Sequence, residues 1–160
     1  MRRAESTSAA GGGTDVGCAL RRVPFHAPRR GIVLLLSDLR DAQLRLDGSG
    51  GTLEGELAHV ARRHDLVASV LHDPREDTLP NAGPLRLEDP EQPGRRALLD
   101  SSSRRVRERY HAACQARRHG LERLLRRRGL DVLWMRTDRD PLGALLSFFQ
   151  SHPGRARVAP

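Results

Sequence analysis

The chain has 160 residues, of which 38% are hydrophobic, 3% aromatic and 30% charged, with a formal net charge of +8. That length carries one domain with a core of its own, built from Leu, Val and Ala rather than from rings. The longest apolar run, Ile32 to Leu36, is far too short to span a membrane, and Cys18 and Cys114 have neither a disulfide framework nor metal-ligand spacing.

In chain order, residues 1–13 are small and polar, end in Gly11-Gly12-Gly13 and read as a flexible lead-in. Arg2 and Arg3 are followed by no apolar stretch, so no secretory signal is read, and a reducing, cytoplasmic setting is expected. Residues 14–150 form the expected domain, and residues 151–160 a flexible tail. Thr14 is placed to cap a helix striped by Val16, Ala19, Leu20 and Val23, which Pro24 and Pro28 end. A first strand, Ile32 to Leu36, stops at Asp38, and a long turn from Leu39 to Gly51 follows. Thr52 is read as the cap of the next helix, whose Leu53, Leu57, Val60 and Ala61 fall on one face. The second strand, Leu66 to Leu71, halts at Asp73-Pro74.

Prolines punctuate the stretch from Pro74 to Gly94, and the alternation at Leu85-Arg86-Leu87 with Arg96 to Leu99 beyond predicts a short β-hairpin excursion. Asp100 or one of Ser101 to Ser103 then caps a long helix with Val106, Tyr110, Cys114, Leu121 and Leu125 as its stripe, ended by Gly129. Leu130 to Met135 is the third strand. Asp140 and Pro141 open a final helix striped by Leu142, Leu145, Leu146 and Phe149. The fold class that follows is α/β: a partial doubly wound, mostly parallel, Rossmann-like sheet with helices on both faces. Ligands of such sheets bind outside the carboxyl ends of the strands, where Asp38 and Asp73 fall.

Every basic residue is Arg, so the charge reflects a uniform bias rather than a designed phosphate footprint, and an Arg-rich nucleic-acid binder is the alternative rather than the leading reading. The arginines of the long helix read as a solvated outer face. His64 is expected to meet the carbonyls at a helix end, while Trp134 and Met135 are read as core. Asp73 can cap the Pro74-Arg75 turn, and Arg75 and Glu76 read as a local ion pair or a partner-facing one. No Gly-x-Ser-x-Gly, Walker A or Gly-x-Gly-x-x-Gly pattern occurs, and no enzyme is expected.

The set Thr14-Asp15…Ala19-Leu20, Leu36-Ser37-Asp38, Arg63-His64-Asp65, Asp73-Pro74-Arg75-Glu76…Leu79-Pro80…Gly83 and Asp138…Asp140…Leu145…Phe148-Phe149 resembles the carboxyl-terminal half of the domain of unknown function 58 family. The resemblance implies a von Willebrand A-like sheet, a protein-interaction role and a MoxR-type AAA+ ATPase as partner. It also implies a metal-ion-dependent adhesion site to which Thr14 and Asp38 would contribute, with Asp73, Arg75 and Glu76 supporting that site or facing a partner. The Asp-x-Ser-x-Ser segment that completes such a site has no counterpart here, and neither has the strand before it. The expectation is therefore an incomplete metal site, which would take Mg²⁺ only with that segment supplied, and a sheet with one edge uncovered.

Overall fold

Long β-branched and leucine runs without polar interruption can be buried on both faces only in a parallel sheet covered by helices. The computed structural model describes residues 15–40, 44–46, 49–88, 94 and 96–152, and it places three such runs side by side. Strands β1 (Ile32–Ser37), β2 (Asp65–His72) and β5 (Asp131–Arg136) form one parallel sheet in the order β1-β2-β5. The register sets Leu34 beside Val67 and Val67 beside Asp131. Strands β3 (Pro84–Glu88) and β4 (Arg96–Asp100) make the antiparallel hairpin that the alternation predicts.

Helices α1 (Val16–His26), α2 (Thr52–Arg63) and α3 (Arg104–Arg127) cover one face of the sheet. Their Leu20, Leu53, Leu57, Val60, Leu121, Leu124 and Leu125 pack with Leu66, Ala68 and Val70 of β2. Helix α4 (Pro141–Ser151) covers part of the other face, with Phe148 against Val67, Leu133 and Met135. Two crossovers running in the same direction across the sheet put α2 and α3 on the same side, as a single handedness requires.

The local stop signals act as their chemistry dictates. Gly129 sits at φ +71°, its N–H donates to Arg126 O at 2.9 Å, and Leu130 N–H reaches Leu125 O at 3.1 Å, a complete Schellman end for α3. Asp140 accepts from Leu142 N–H and Gly143 N–H, both at 3.0 Å, and opens α4 with Pro141 behind it. Ser103 is the amino-terminal cap position of α3.

Other starts and faces differ from the sequence reading. Thr14 lies outside the described residues, and the side chain that caps α1 is that of Asp15, which accepts from Cys18 N–H at 2.8 Å. Pro24 does not end that helix: its missing N–H forfeits one bond near the carboxyl end, and Ala27 N–H still closes onto Val23 O at 2.8 Å. Gly51, not Thr52, occupies the cap position of α2, and its N–H donates to Glu54 Oε1 at 3.2 Å. In α4 the buried side is that of Ala144, Leu145, Phe148 and Phe149, which leaves Leu142 and Leu146 exposed.

Candidate interaction edge at the carboxyl ends of the strands

The first component is the turn that leaves β1. Ser37 Oγ accepts from Leu39 N–H at 3.0 Å, and Asp38 Oδ1 accepts from Arg40 N–H at 3.2 Å. These two bonds wind the chain so tightly that Leu39 takes φ +49°. A leucine held there costs on the order of 1–2 kcal/mol. Burial of its side chain in the core offsets that cost, and Arg117 Nη2 donates to its carbonyl at 2.8 Å. The side chains on either side, Asp38 and Arg40, are turned outward and more than half exposed.

The second component is the turn that leaves β2. Asp73 Oδ1 accepts from Arg75 N–H at 2.9 Å and starts a single 3-10 turn over Pro74–Asp77, the capping expected of it. Glu76 forms its ion pair across the edge with Arg40 and not with neighbouring Arg75, so the two exit turns are tied to one another. Beneath them, α3 holds the second turn by polar contacts. Tyr110 Oη donates to Glu76 O at 2.9 Å, Cys114 Sγ donates to the same carbonyl at 3.6 Å, and Gln115 Nε2 donates to Asp77 Oδ2 at 3.4 Å. His72 Nε2 lies 3.2 Å from Asp77 Oδ2, and the Arg118 guanidinium sits 4.6 Å over the Trp134 ring.

This environment shifts two groups. Burial raises the Tyr110 phenol above its ordinary value, with Cys114 adding to the effect. Burial lowers the Arg117 guanidinium, and the like charge of Arg40 lowers it further while Asp38 opposes. The third strand end is self-contained: Arg136 binds both carboxylate oxygens of Asp138 at 2.9 and 2.7 Å and so lowers the Asp138 carboxyl.

The structure thus brings Asp38, Asp73, Arg75 and Glu76 to one edge of the sheet. Asp38 and Asp73 each spend a carboxylate oxygen on their own turn, and the charge facing Asp38 is a guanidinium, Arg40 Nε at 3.9 Å. Among the described residues no group of three His, Cys, Asp or Glu could hold a metal ion. A hard cation that demands several oxygen donors does not fit these residues as they stand.

His64 is buried at the end of α2, where its backbone N–H donates to Val60 O at 2.9 Å. Its ring does not make the expected carbonyl contact through Nδ1, which has no hydrogen-bond partner among the described residues.

Arg40, Asp77, Tyr110 and Arg117 are parts of this edge that the sequence reading left out. One signal was available. Continuing the α3 stripe from Tyr110 and Cys114 by helical steps lands on Arg117 and Arg118, so arginines stand where apolar residues would be expected. The expected solvated face of α3 is accordingly only partial. Arg107 donates to Ser101 O and Ser102 O, Arg128 pairs with buried Glu54 at 2.8 Å, and Arg104 and Arg126 pair with Glu108 and Glu122.

The sequence profile of a family described as a protein of unknown function, DUF58, matches residues 1–120. The chain belongs to the DUF58 family. An uncharacterized protein of Mycobacterium avium is 29% identical over 139 residues, covering 86% of this chain and 75% of its own length. Uncharacterized proteins of Mycobacterium bovis and Mycobacterium tuberculosis are each 30% identical over 137 residues, again 86% of this chain. This DUF58 chain spans 40% of the length of those two relatives. No solved structure matches it significantly.

Proposed function

We infer that this DUF58 chain is a non-catalytic, von Willebrand A-like protein-interaction module that works in the cytoplasm with a MoxR-type AAA+ ATPase. The observation that supports the reading is the pairing of the two exit turns through Arg40 and Glu76 on a base fixed by Tyr110 and Arg117. That arrangement holds exposed charges of both signs, Asp38, Arg75 and Glu76, at the sheet edge where open α/β folds take their ligands. Pre-positioned rim charges set register and partner choice more than raw affinity. The phenol, thiol and imidazole at this turn, Tyr110, Cys114 and His72, are engaged by Glu76 O and Asp77 in holding the turn, which favours recognition over chemistry.

The reading is tested with the purified chain and the MoxR-type ATPase encoded in the same genome, by biolayer interferometry at physiological salt. Saturable binding is expected, weakened about tenfold by Arg75→Glu, a loss of about 1.4 kcal/mol. An unchanged isotherm for Arg75→Glu would move the interface off this edge, and no binding by the wild type would remove the ATPase as partner.

A further inference from the structure

Helix α3 turns one face outward along its length, and the charge on that face is of one sign. At about 100° per residue, Arg105, Arg109, Arg123 and Arg127 fall within about 40° of one another on the helical wheel, and all four are exposed. The carboxylates of the helix flank this face and are already taken: Glu108 pairs with Arg104 and Glu122 with Arg126, both at 2.7 Å. None of the four arginines has an ion-pair partner among the described residues. His119, exposed on the same face, adds no negative charge.

Helix stability does not account for this placement. Arg105 with Arg109, and Arg123 with Arg127, are like charges at i,i+4, which weaken a helix. Arg105 also stands in a first turn that holds no acidic residue, where the macrodipole repels a cation. The lack of lysine in the chain explains the residue type, but not four arginines on one line with no carboxylate between them.

The spacing suits one kind of surface. Arg105 to Arg123, and Arg109 to Arg127, each span about 27 Å at the rise of an α-helix, or about five whole turns. Between the pairs the floor is alanine: Ala112 and Ala116 lie on the same line and Ala113 beside it, all exposed. Methyl groups let a second helix approach to about 8 Å between axes, the short end of the usual range, and offer a phosphate backbone nothing to bond. We propose that this face of α3 docks an acidic helix of a partner protein, laid nearly along α3. Its two carboxylate pairs, about five turns apart, meet Arg105 with Arg109 and Arg123 with Arg127. A second copy of the chain is not that partner through its described helices, since α1 and α4 carry no carboxylate and Glu54 of α2 is buried against Arg128. The face lies across the helix from Tyr110 and Cys114, so it is separate from the exit-turn edge.

The probe is a fluorescein-labelled alanine–glutamine helix carrying two i,i+4 glutamate pairs about five turns apart, followed by anisotropy at near-physiological salt. A control peptide carries the same four glutamates gathered at one end. The spaced peptide is expected to bind the chain about tenfold or more tightly than the gathered one, because only the spaced peptide engages both arginine pairs. Arg105→Glu/Arg109→Glu and Arg123→Glu/Arg127→Glu are each expected to weaken the spaced peptide about tenfold or more.

A charge swap separates loss of docking from loss of fold. Peptides with lysines in place of one glutamate pair are expected to recover binding to the Arg105→Glu/Arg109→Glu chain, and the end that recovers it gives the direction of the docked helix. Circular dichroism and urea midpoints of both variants are expected to stay at those of the wild type. Labelled duplex DNA is titrated in the same salt, where attraction by charge alone is weak. Equal affinity for the spaced and gathered peptides, no binding of the spaced peptide, failure of both swapped peptides, or tighter binding of the duplex than of the spaced peptide would each overturn the proposal.

Discussion

A carboxylate inside an apolar layer is stable only while its oxygens are engaged, and Glu54 on α2 meets that condition. It is 2% exposed, takes Gly51 N–H on one oxygen and receives Arg128 from α3 on the other at 2.8 Å. Removing the partner strands a buried charge, whereas an exposed helical ion pair is worth only a few tenths of a kcal/mol. Arg128→Met is therefore expected to lower unfolding free energy by roughly 2 kcal/mol in urea titrations. Arg126→Met, which breaks the exposed pair with Glu122, is expected to cost less than about 0.5 kcal/mol.

Tyr110 is the only tyrosine in the chain, so its ionisation can be followed by ultraviolet absorbance without interference from another phenol. Burial, then Cys114, raises its pKa in the folded protein, and the hydrogen bond it donates to Glu76 O also requires the neutral phenol. The folded state thus holds this proton more tightly than the unfolded state. The resulting stability is complete below the unfolded value of about 10 and is lost as pH rises through the higher folded value. The titration midpoint of the native chain is expected above that of the chain in urea, and Tyr110→Phe is expected to remove the alkaline loss. Coincident native and unfolded midpoints would contradict this account.

At the scale of elements, most helix ends were legible because their chemistry is local. Asp73-Pro74, Gly129 and Asp140-Pro141 each act through atoms within a few residues. Pro24 was misleading for an equally physical reason. Proline breaks a helix by removing one N–H and crowding one carbonyl, and near the carboxyl end of α1 there is little helix left to lose. Replacing it should restore the bond to the Leu20 carbonyl. Pro24→Ala is expected to stabilise the fold by about 1 kcal/mol in thermal or urea unfolding, the regained bond outweighing the added freedom of the unfolded chain. Burial within α4 was not legible from spacing, since Leu142 and Leu145 lie close on the helical wheel. Only the narrow contact with Val67, Leu133 and Met135 selects Ala144, Leu145, Phe148 and Phe149 as the covered side.

Across the whole molecule, the parallel sheet and its carboxyl edge could be read from three aliphatic runs and the aspartates that close two of them. The contacts that fix the turns behind those aspartates could not, because Arg40 meets Glu76 only when the two exit turns are side by side, and Tyr110 and Arg117 reach Glu76 O and Leu39 O only once α3 has docked. The resulting chemistry disfavours a cation. Calorimetry with Mg²⁺ and Mn²⁺ is expected to show binding no tighter than about millimolar, unchanged in Asp38→Ala, since a single carboxylate facing a guanidinium does little to dehydrate such an ion. Tight binding that Asp38→Ala abolished would show that the edge assembles a metal site after all.

Helix α3 is anchored differently along its length. Its carboxyl-terminal half drives Leu121, Leu124 and Leu125 into the core, while its amino-terminal half reaches the β2 exit turn through Tyr110, His111, Cys114 and Gln115. Water competes with hydrogen bonds of the second kind and not with apolar burial of the first. Local opening should therefore begin at one end of a single continuous helix. Amide exchange is expected to grade along α3, with protection near Leu124 close to that of global unfolding and protection near Tyr110 well below it. Each time the amino-terminal turns open, the base under Arg40 and Glu76 goes with them. The exit-turn edge would then exist as a population rather than a fixture, and a partner that grips the edge would slow exchange some way down the helix beneath it.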